Sequence, residues 1–468
     1  AALGFRGVPA RCIALAASGA ACATQAAIGH AAAAGGLALP LVETLHILAA
    51  GAWLGGLTPL WFVLASDRPT ALAALRRFSR LGMICVVTLA ATAPIQGWAL
   101  IGGIGAWFGT LHGVLALSKA VLFAVLLALA ALNYFRLAPA LAKTGATTSL
   151  RVSIVAETAL GLAVLFVAAQ MASVAPGVHA RPEWPFAWRP SLEAVVYGYQ
   201  RRELFDGAMT VAAIVVLLIV ALTWRRVRRA ALLGAIALPL LAPLAPLPPL
   251  GLLFVPAGTA SFYRSTTGFS AASIATGARL FAARCAACHG ADGRGNLALG
   301  SDPPPDLTGP RVRTESDGDL FRSLDHGVPR ALSDEARWNL IDYLRAHGAG
   351  VDIAEAGAWM FPIAAPAIPD LPRGKPVRIV AGAGGASGGI ATIHLTPDTD
   401  GWTAYAAIAG LAPTDLPGTQ FLVDAHGWLR AVWRPGEPPD WTAPRALPVK
   451  LAEIAAHPLA AEQAEHHH

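Results

Sequence analysis

Residues 285–289 read Cys-Ala-Ala-Cys-His, and this pentapeptide carries the most specific chemistry in the chain. Two thiols three apart on one helical turn can add to the two vinyl groups of a single porphyrin. The imidazole that follows then lies under the iron. A redox dithiol or half of a zinc site uses the same Cys-x-x-Cys spacing. The appended His289, and the lack of a second cysteine pair, favour covalent haem c, with Cys285 and Cys288 as thioether positions and His289 as proximal ligand. The other cysteines, Cys12, Cys22 and Cys85, lie in apolar runs and read as small core residues. Covalent haem attachment takes place on the outer side of an energised membrane, so the motif predicts a compartment as well as a cofactor.

A second set of donors is scattered through apolar sequence: His30, His46, His112 and His179, with Met171. An ionisable side chain inside an apolar span is a functional hypothesis by default. At helix ends, and for His30 and His179 above all, an interfacial hydrogen bond explains the same residue. Imidazole and thioether suit copper, while paired imidazoles suit a b-type haem iron equally well. Lys119 lies seven residues after His112 on the same helical face and either snorkels or pairs with Glu43. Glu157 and Asn133 lie toward the other end of their spans, as an interhelical hydrogen bond or an extension of a polar path.

The elements that must position these residues are mostly membrane helices. Of 468 residues 55% are hydrophobic and only 14% charged, where a soluble protein carries nearer a quarter charged. About seven apolar runs of spanning length precede residue 255: roughly 8–30, 38–64, 78–102, 111–136, 152–174, 206–224 and 231–254. Basic clusters at Arg6 and Arg11, at Arg68, Arg76, Arg77 and Arg80, at Arg136, Lys143 and Arg151, and at Arg225, Arg226, Arg228 and Arg229 fall at alternate ends of successive runs. One cytoplasmic side requires that pattern. A cytoplasmic N-terminus then places residue 255 outside, where the haem motif must be. His46 comes roughly 10 Å below the exported surface at the helical rise of about 1.5 Å per residue. The net charge of +6 comes largely from these clusters and argues for topology. No basic stretch interleaved with stacking aromatics suggests a nucleic-acid platform. The loop 175–205 carries Trp184, Trp188 and Tyr197 as an interfacial belt, together with Arg181, Arg189, Arg201 and Arg202, which depart from a pure positive-inside pattern.

The fold class is therefore mainly α: a polytopic helix bundle (1–255), an all-α haem domain (256–350), an Ala/Pro linker (351–375) and a small α/β domain (376–460), with a tail at 461–468. A helix over 271–284 leads into the haem motif, and Leu332–His347 has the pattern of a closing amphipathic helix. Strand-like segments at Val377–Val380, Ala391–Leu395, Gln420–Val423 and Leu429–Trp433, the last pair joined by a Gly-containing turn, define the α/β part. The chain starts at Ala1 without Met, which suggests a missing N-terminal segment. His466-His467-His468 reads as the remnant of a purification tag and is set aside from metal arguments.

The bundle resembles the copper-resistance protein D (CopD) family. The likeness runs through Gly29-His30-Ala31, Leu45-His46-Ile47-Leu48-Ala49-Ala50-Gly51-Ala52-Trp53-Leu54-Gly55-Gly56-Leu57, Arg77-Phe78-Ser79, Gly109-Thr110-Leu111-His112-Gly113, Ser118-Lys119 and Asn133-Tyr134-Phe135-Arg136. It implies copper handling across a bacterial inner membrane, with His46 and His112 as candidate ligands. The same helix also looks like distant b-haem membrane proteins, which keeps haem b open. Residues 270–338 are similar to c-type cytochrome modules fused to some CopD-type proteins, through Leu280-Phe281, Asp292-Gly293-Arg294-Gly295, Asp306-Leu307-Thr308, His326-Gly327-Val328-Pro329 and Leu332-Ser333-Asp334. Such modules usually supply a Met-Pro sixth ligand. Residues 270–350 contain no Met, which leaves an open iron site or substitution by His326, His347 or Met360. Gly418–Trp433 looks like the second half of a thioredoxin fold, here without cysteine and so without thiol–disulfide chemistry. Together these imply a multi-pass bacterial inner-membrane electron carrier or transporter coupled to copper. It faces the lipid bilayer, a periplasmic or membrane redox partner and a copper chaperone. The alternative is a membrane cytochrome b/c subunit serving quinol or a dehydrogenase, and any enzymatic activity is that of an oxidoreductase acting on copper or quinol.

Overall fold

The computed structural model describes residues 8–27, 32, 36–145, 147–191, 201–224, 226–240, 247, 249, 251, 253–295, 304–326, 331–383, 389–438 and 440–459. The chain divides into two units, Ala1–Pro185 and Phe186–His468.

In the first unit, apolar runs form helices that satisfy their own backbone groups, the course open to a single segment in lipid. They are α1 (Val8–Ala23), α2 (Ala38–Val63), α3 (Arg68–Leu100), α4 (Ile104–Gly109), α5 (Leu111–Leu132), α6 (Ala138–Thr144) and α7 (Thr148–Ala172). Asp67 starts α3 by accepting the Thr70 amide at 3.1 Å, and Thr110 starts α5 by accepting the Gly113 amide at 3.0 Å. Between α5 and α6 the residues Asn133–Leu137 form a π-helical segment. Large apolar side chains such as Phe62, Ile84, Val121, Val152 and Phe166 are exposed all round the bundle, while the buried seams are lined by Leu57, Leu60, Leu75, Leu150 and Ile154. That inversion marks a surface solvated by lipid. Asn133 donates Nδ2 to Glu157 Oε1 at 2.7 Å, so the expected interhelical hydrogen bond is formed.

Among the described residues five helical stretches are long and apolar enough to cross a membrane: Ala38–Val63, Arg68–Leu100, Leu111–Thr144, Thr148–His179 and Arg202–Thr223. About seven were expected. The described parts of two further apolar runs are shorter helices, α1 with 16 residues and Arg228–Leu240 with 13, each next to residues outside those described.

In the second unit α8 (Arg201–Thr223) packs against α9 (Arg228–Leu240), and β1 (Trp188–Pro190) pairs antiparallel with β2 (Phe254–Pro256). The haem-motif region contains α10 (Ala271–Arg284), the single turn α11 (Ala286–His289), α12 (Pro310–Thr314), α13 (Asp317–His326) and α14 (Asp334–Ala356). Helix α14 runs well past the expected end at His347. A sheet then forms from β3 (Val377–Ala381), β4 (Ala391–Leu395), β5 (Gln420–Val423) and β6 (Leu429–Trp433), in the order β4-β3-β5-β6. β3 and β4 are parallel and the other pairs antiparallel, with α15 (Asp400–Ala409) before β5 and α16 (Ala446–Ala456) after β6.

The haem-motif helices and this sheet share one core. Ile274, Ala346 and Ala349 are buried together with Val377, Ile379, Trp402, Tyr405 and Phe421. Residues 351–375, expected as a linker, are sewn to both sides. Ala271 donates its amide to Ala367 O at 2.9 Å, Ala365 to Gly427 O at 2.9 Å and Leu429 to Ile363 O at 3.0 Å. Gly350 lets α14 touch α15, because a Cβ there would run into the Ala407 carbonyl.

Candidate haem and metal sites

The haem motif is assembled by one helix end. α10 is started by Ser270, whose hydroxyl accepts the Ser273 amide at 3.1 Å, and it closes with the Cys285 amide on Phe281 O at 2.8 Å. The next turn brings the amides of Cys288 and His289 to Cys285 O at 3.1 and 2.9 Å. Both thiols and the imidazole, at positions 285, 288 and 289, thus project from a single turn. Gly290, at φ 78°, then reverses the chain, a conformation that only glycine adopts without strain. The Pro305 carbonyl is 3.0 Å from His289 Nδ1. A carbonyl only accepts, so Nδ1 carries the proton and Nε2 keeps the lone pair that binds iron. Phe281, Leu340 and Leu344 form a buried floor, with Leu280, Leu307, Leu324, Leu332 and Tyr343 partly buried around Cys285.

Donor set and walls fit a covalently held haem. They do not fit a redox dithiol: burial, and then the neighbouring Cys288, push the Cys285 thiol up, against a smaller opposite pull from Arg284. Reactive dithiols need the opposite shift. Among the described residues no group of three or more His, Cys, Asp or Glu side chains could hold a zinc ion.

The candidates for a sixth ligand differ in position. His347 stacks on Tyr343 (centroids 5.4 Å apart) and directs Nε2 to Asp292 O at 2.8 Å, so it props the loop that follows the motif. Met360 is 65% exposed, and its amide donates to Asp352 Oδ2 at 3.3 Å. Asp352 is in turn ion-paired with Arg313. His326 is the last residue of α13, and its side chain lies outside those described.

In the bundle, α2 carries Glu43 and His46, α3 carries Thr92, and α5 carries His112 and Lys119. His46 Nδ1 is 2.8 Å from Thr92 Oγ1. The Thr92 hydroxyl has one proton and sends it to Thr88 O at 2.7 Å, so Oγ1 accepts from His46. His46 therefore also presents a bare Nε2. Gln96, one turn beyond Thr92, buries an amide nitrogen with no hydrogen-bond partner among the described residues. Lys119 interacts electrostatically with both Glu43 and His46. His112 is buried in the first turn of α5. Met171 is half-buried near the end of α7, and His179 is exposed in the turn Gly177–His179, which packs against α3, α4 and α5. His30 lies outside the described residues. The structure thus brings Glu43, His46, Thr92 and Lys119 together and places His112, Met171 and His179 at the same end of the bundle. Three imidazoles do not converge in one cage among the described residues. Thr92 and Gln96 were missed in the sequence, although Thr88, Thr92 and Gln96 recur every fourth residue as a polar stripe in an apolar helix.

Residues 72–171 match the family Copper resistance protein D, and residues 272–344 match Cytochrome C oxidase, cbb3-type, subunit III. His112 falls in the first match and His46 precedes it. The second spans the haem motif, and a cytochrome of that type implies haem c. The chain is 30% identical over 158 residues to Copper transport protein CutJ of Bacillus subtilis, covering 33% of this chain and 28% of the relative. It is 33% identical over 121 residues to Inner membrane protein YebZ of Escherichia coli, covering 24% of this chain and 41% of the relative. It therefore spans less than half the length of either relative. No solved structure matches.

Proposed function

We propose that this chain is a bacterial inner-membrane electron-transfer protein whose outward haem c domain works together with copper handling by its helical bundle. The carrying observation is that His289 and His46, in separate units, each engage Nδ1 in a hydrogen bond to an oxygen acceptor, which leaves Nε2 bare to take a metal. When bound, the haem supplies a one-electron iron couple. The chain does the rest. Pro305 sets the His289 tautomer, and Cys285 and Cys288 anchor the ring. Leu280, Leu307, Leu324 and Leu332 exclude water from it, and His347 holds the loop that closes on the motif. Copper is the cargo: Cu(I) suits imidazole and thioether. His46 is the oriented ligand, with His112, His179, His30 and Met171 as further donors at the same face. Electrons moved at that face set the oxidation state in which copper is captured or released, in exchange with a periplasmic redox partner and a copper chaperone.

The same reading has seven spans, a cytoplasmic N-terminus, and both C-terminal domains in the periplasm. The α/β part is read as a cysteine-free thioredoxin-like domain. Its sheet order, with one parallel and two antiparallel pairings and a helix before β5, supports that reading. It serves as a shield or docking face for the haem edge, with Met360 or His326 as sixth-ligand candidates.

A pyridine haemochrome spectrum with elemental analysis on one detergent-purified sample tests the proposal. One haem c with copper and no haem b supports it. Haem b beside haem c with no copper replaces it with a b/c electron-transfer subunit using His46 and His112 as axial ligands.

A further inference from the structure

Away from the histidines, the bundle holds a cavity of about 200 Å³ between α2, α3, α5 and α7. Its floor is polar. Glu157, ten residues into α7, is only 3% exposed, yet it lines the space. Asn133 Nδ2 satisfies Oε1 of Glu157, but no hydrogen bond among the described residues reaches Oε2. Asn133 Oδ1 is buried without a partner among them as well. Glu157 thus leaves an acceptor oxygen without a protein partner at a chamber in a membrane-embedded segment, where an unmet polar group is costly. The π-helical segment Asn133–Leu137 starts at this amide, and such segments recur at functional sites. The walls are aromatic and aliphatic: Trp53, Phe78 and Leu127. The rim is formed by Met83, Tyr134 and Phe135, which are 56%, 52% and 72% exposed on the surface that faces lipid.

We infer that this cavity binds the head of a membrane quinol. An unpartnered carboxylate oxygen calls for a ligand that brings its own hydroxyl proton, and the Ser79 and Tyr134 hydroxyls that also line the cavity can accept a second. Apolar walls call for a flat ring, and a mouth open to lipid calls for a tail. A cavity of about 150 Å³ holds a benzene, so this one accommodates a substituted six-membered ring. The inference rests on the bundle lying in a bilayer and is independent of the copper reading.

The test uses the full chain in lipid nanodiscs, an azido-ubiquinone photolabel and decylubiquinol as competitor. Labelling is expected on the α3 and α5 residues that line the cavity, and decylubiquinol should compete better than its oxidised form. Glu157→Gln turns one acceptor into a donor while keeping the bond from Asn133. It should weaken decylubiquinol about tenfold, the fold-change of one lost charge-assisted hydrogen bond, and favour the quinone instead. Gly82→Leu fills the chamber without a clash, since a Cβ there meets nothing nearer than Trp53 Nε1 at 3.9 Å, and should abolish competed labelling. Leu162→Phe, on a lipid-facing surface, should leave it unchanged. Label spread evenly over lipid-facing helices would overturn the inference. So would equal competition by quinol and quinone in both wild type and Glu157→Gln; the chamber would then be a lipid-filled gap beside an ordinary interhelical bond.

Discussion

At the scale of single residues, two acceptors that carry no metal themselves decide which imidazole nitrogen is offered. Thr92→Val keeps the shape of the side chain and removes the acceptor that orients His46. Copper affinity of the purified protein, titrated against a competing chelator, is expected to fall about 10–100-fold, the usual cost of losing the partner that orients a ligand. An unchanged affinity would remove His46 from the copper site. Asp342 contributes to the pH response of the second unit. Its carboxylate lies within 2.5 Å of the Ser273 hydroxyl and 2.6 Å of the Thr267 hydroxyl, and burial, outweighing both bonds, pushes its pKa up to about 6. Unfolded, it titrates near 3.9. Between these values the native state holds a proton that the unfolded state has lost. The contribution, about 3 kcal/mol, is therefore full below pH ~4 and disappears as the pH rises through ~6. Denaturant midpoints between pH 4 and 7 should show this decline, and Asp342→Asn should flatten it.

At the scale of elements, the pairing of α14 with α15 joins the haem-motif region to the α/β sheet. Gly350 is where the two backbones meet. Gly350→Leu raises helix propensity, so on local grounds it should stabilise α14. The expectation is the reverse: a loss of about 1–3 kcal/mol from overpacking, read as an earlier unfolding transition in the full chain. Sheet and haem-motif helices should melt together, by far-UV circular dichroism and by tryptophan fluorescence, because Ile274, Ala346 and Ala349 belong to the same buried cluster as Tyr405 and Phe421. Two separate transitions would show that the shared core does not couple them.

At the scale of the whole molecule, the membrane places the chemistry. In the proposed topology covalent haem attachment puts residue 285 outside, and the alternating basic clusters put the ends of α3 and α7 nearest Arg68 and Arg151 inside. Alkaline phosphatase fused after Lys143 should be inactive, and fused after Leu459 it should be active. The opposite pattern would invert the topology and separate the haem motif from the machinery that loads it.

Much of this was legible in the sequence because it is local. The haem pentapeptide needs only its own turn. The strands Ala391–Leu395, Gln420–Val423 and Leu429–Trp433 appear with the bounds read from alternation and turn residues, since both signals act over a few neighbouring residues. Five of the seven expected runs appear as helices of spanning length among the described residues, because unbroken hydropathy over about 20 residues is itself a local signal. What only the tertiary structure decided lies between residues distant in the chain. Pro305 selects the tautomer of His289 from 16 positions away, and Thr92 that of His46 from 46. His347 is a strut because Asp292 reaches it across 55 positions. Residues 351–375 hold two substructures together where composition alone reads as a tether. Composition and periodicity record what each segment does with its own backbone. Which nitrogen is bare, which acid is partnered and which gap stays open depend on side chains that only packing brings within 3 Å or so of each other.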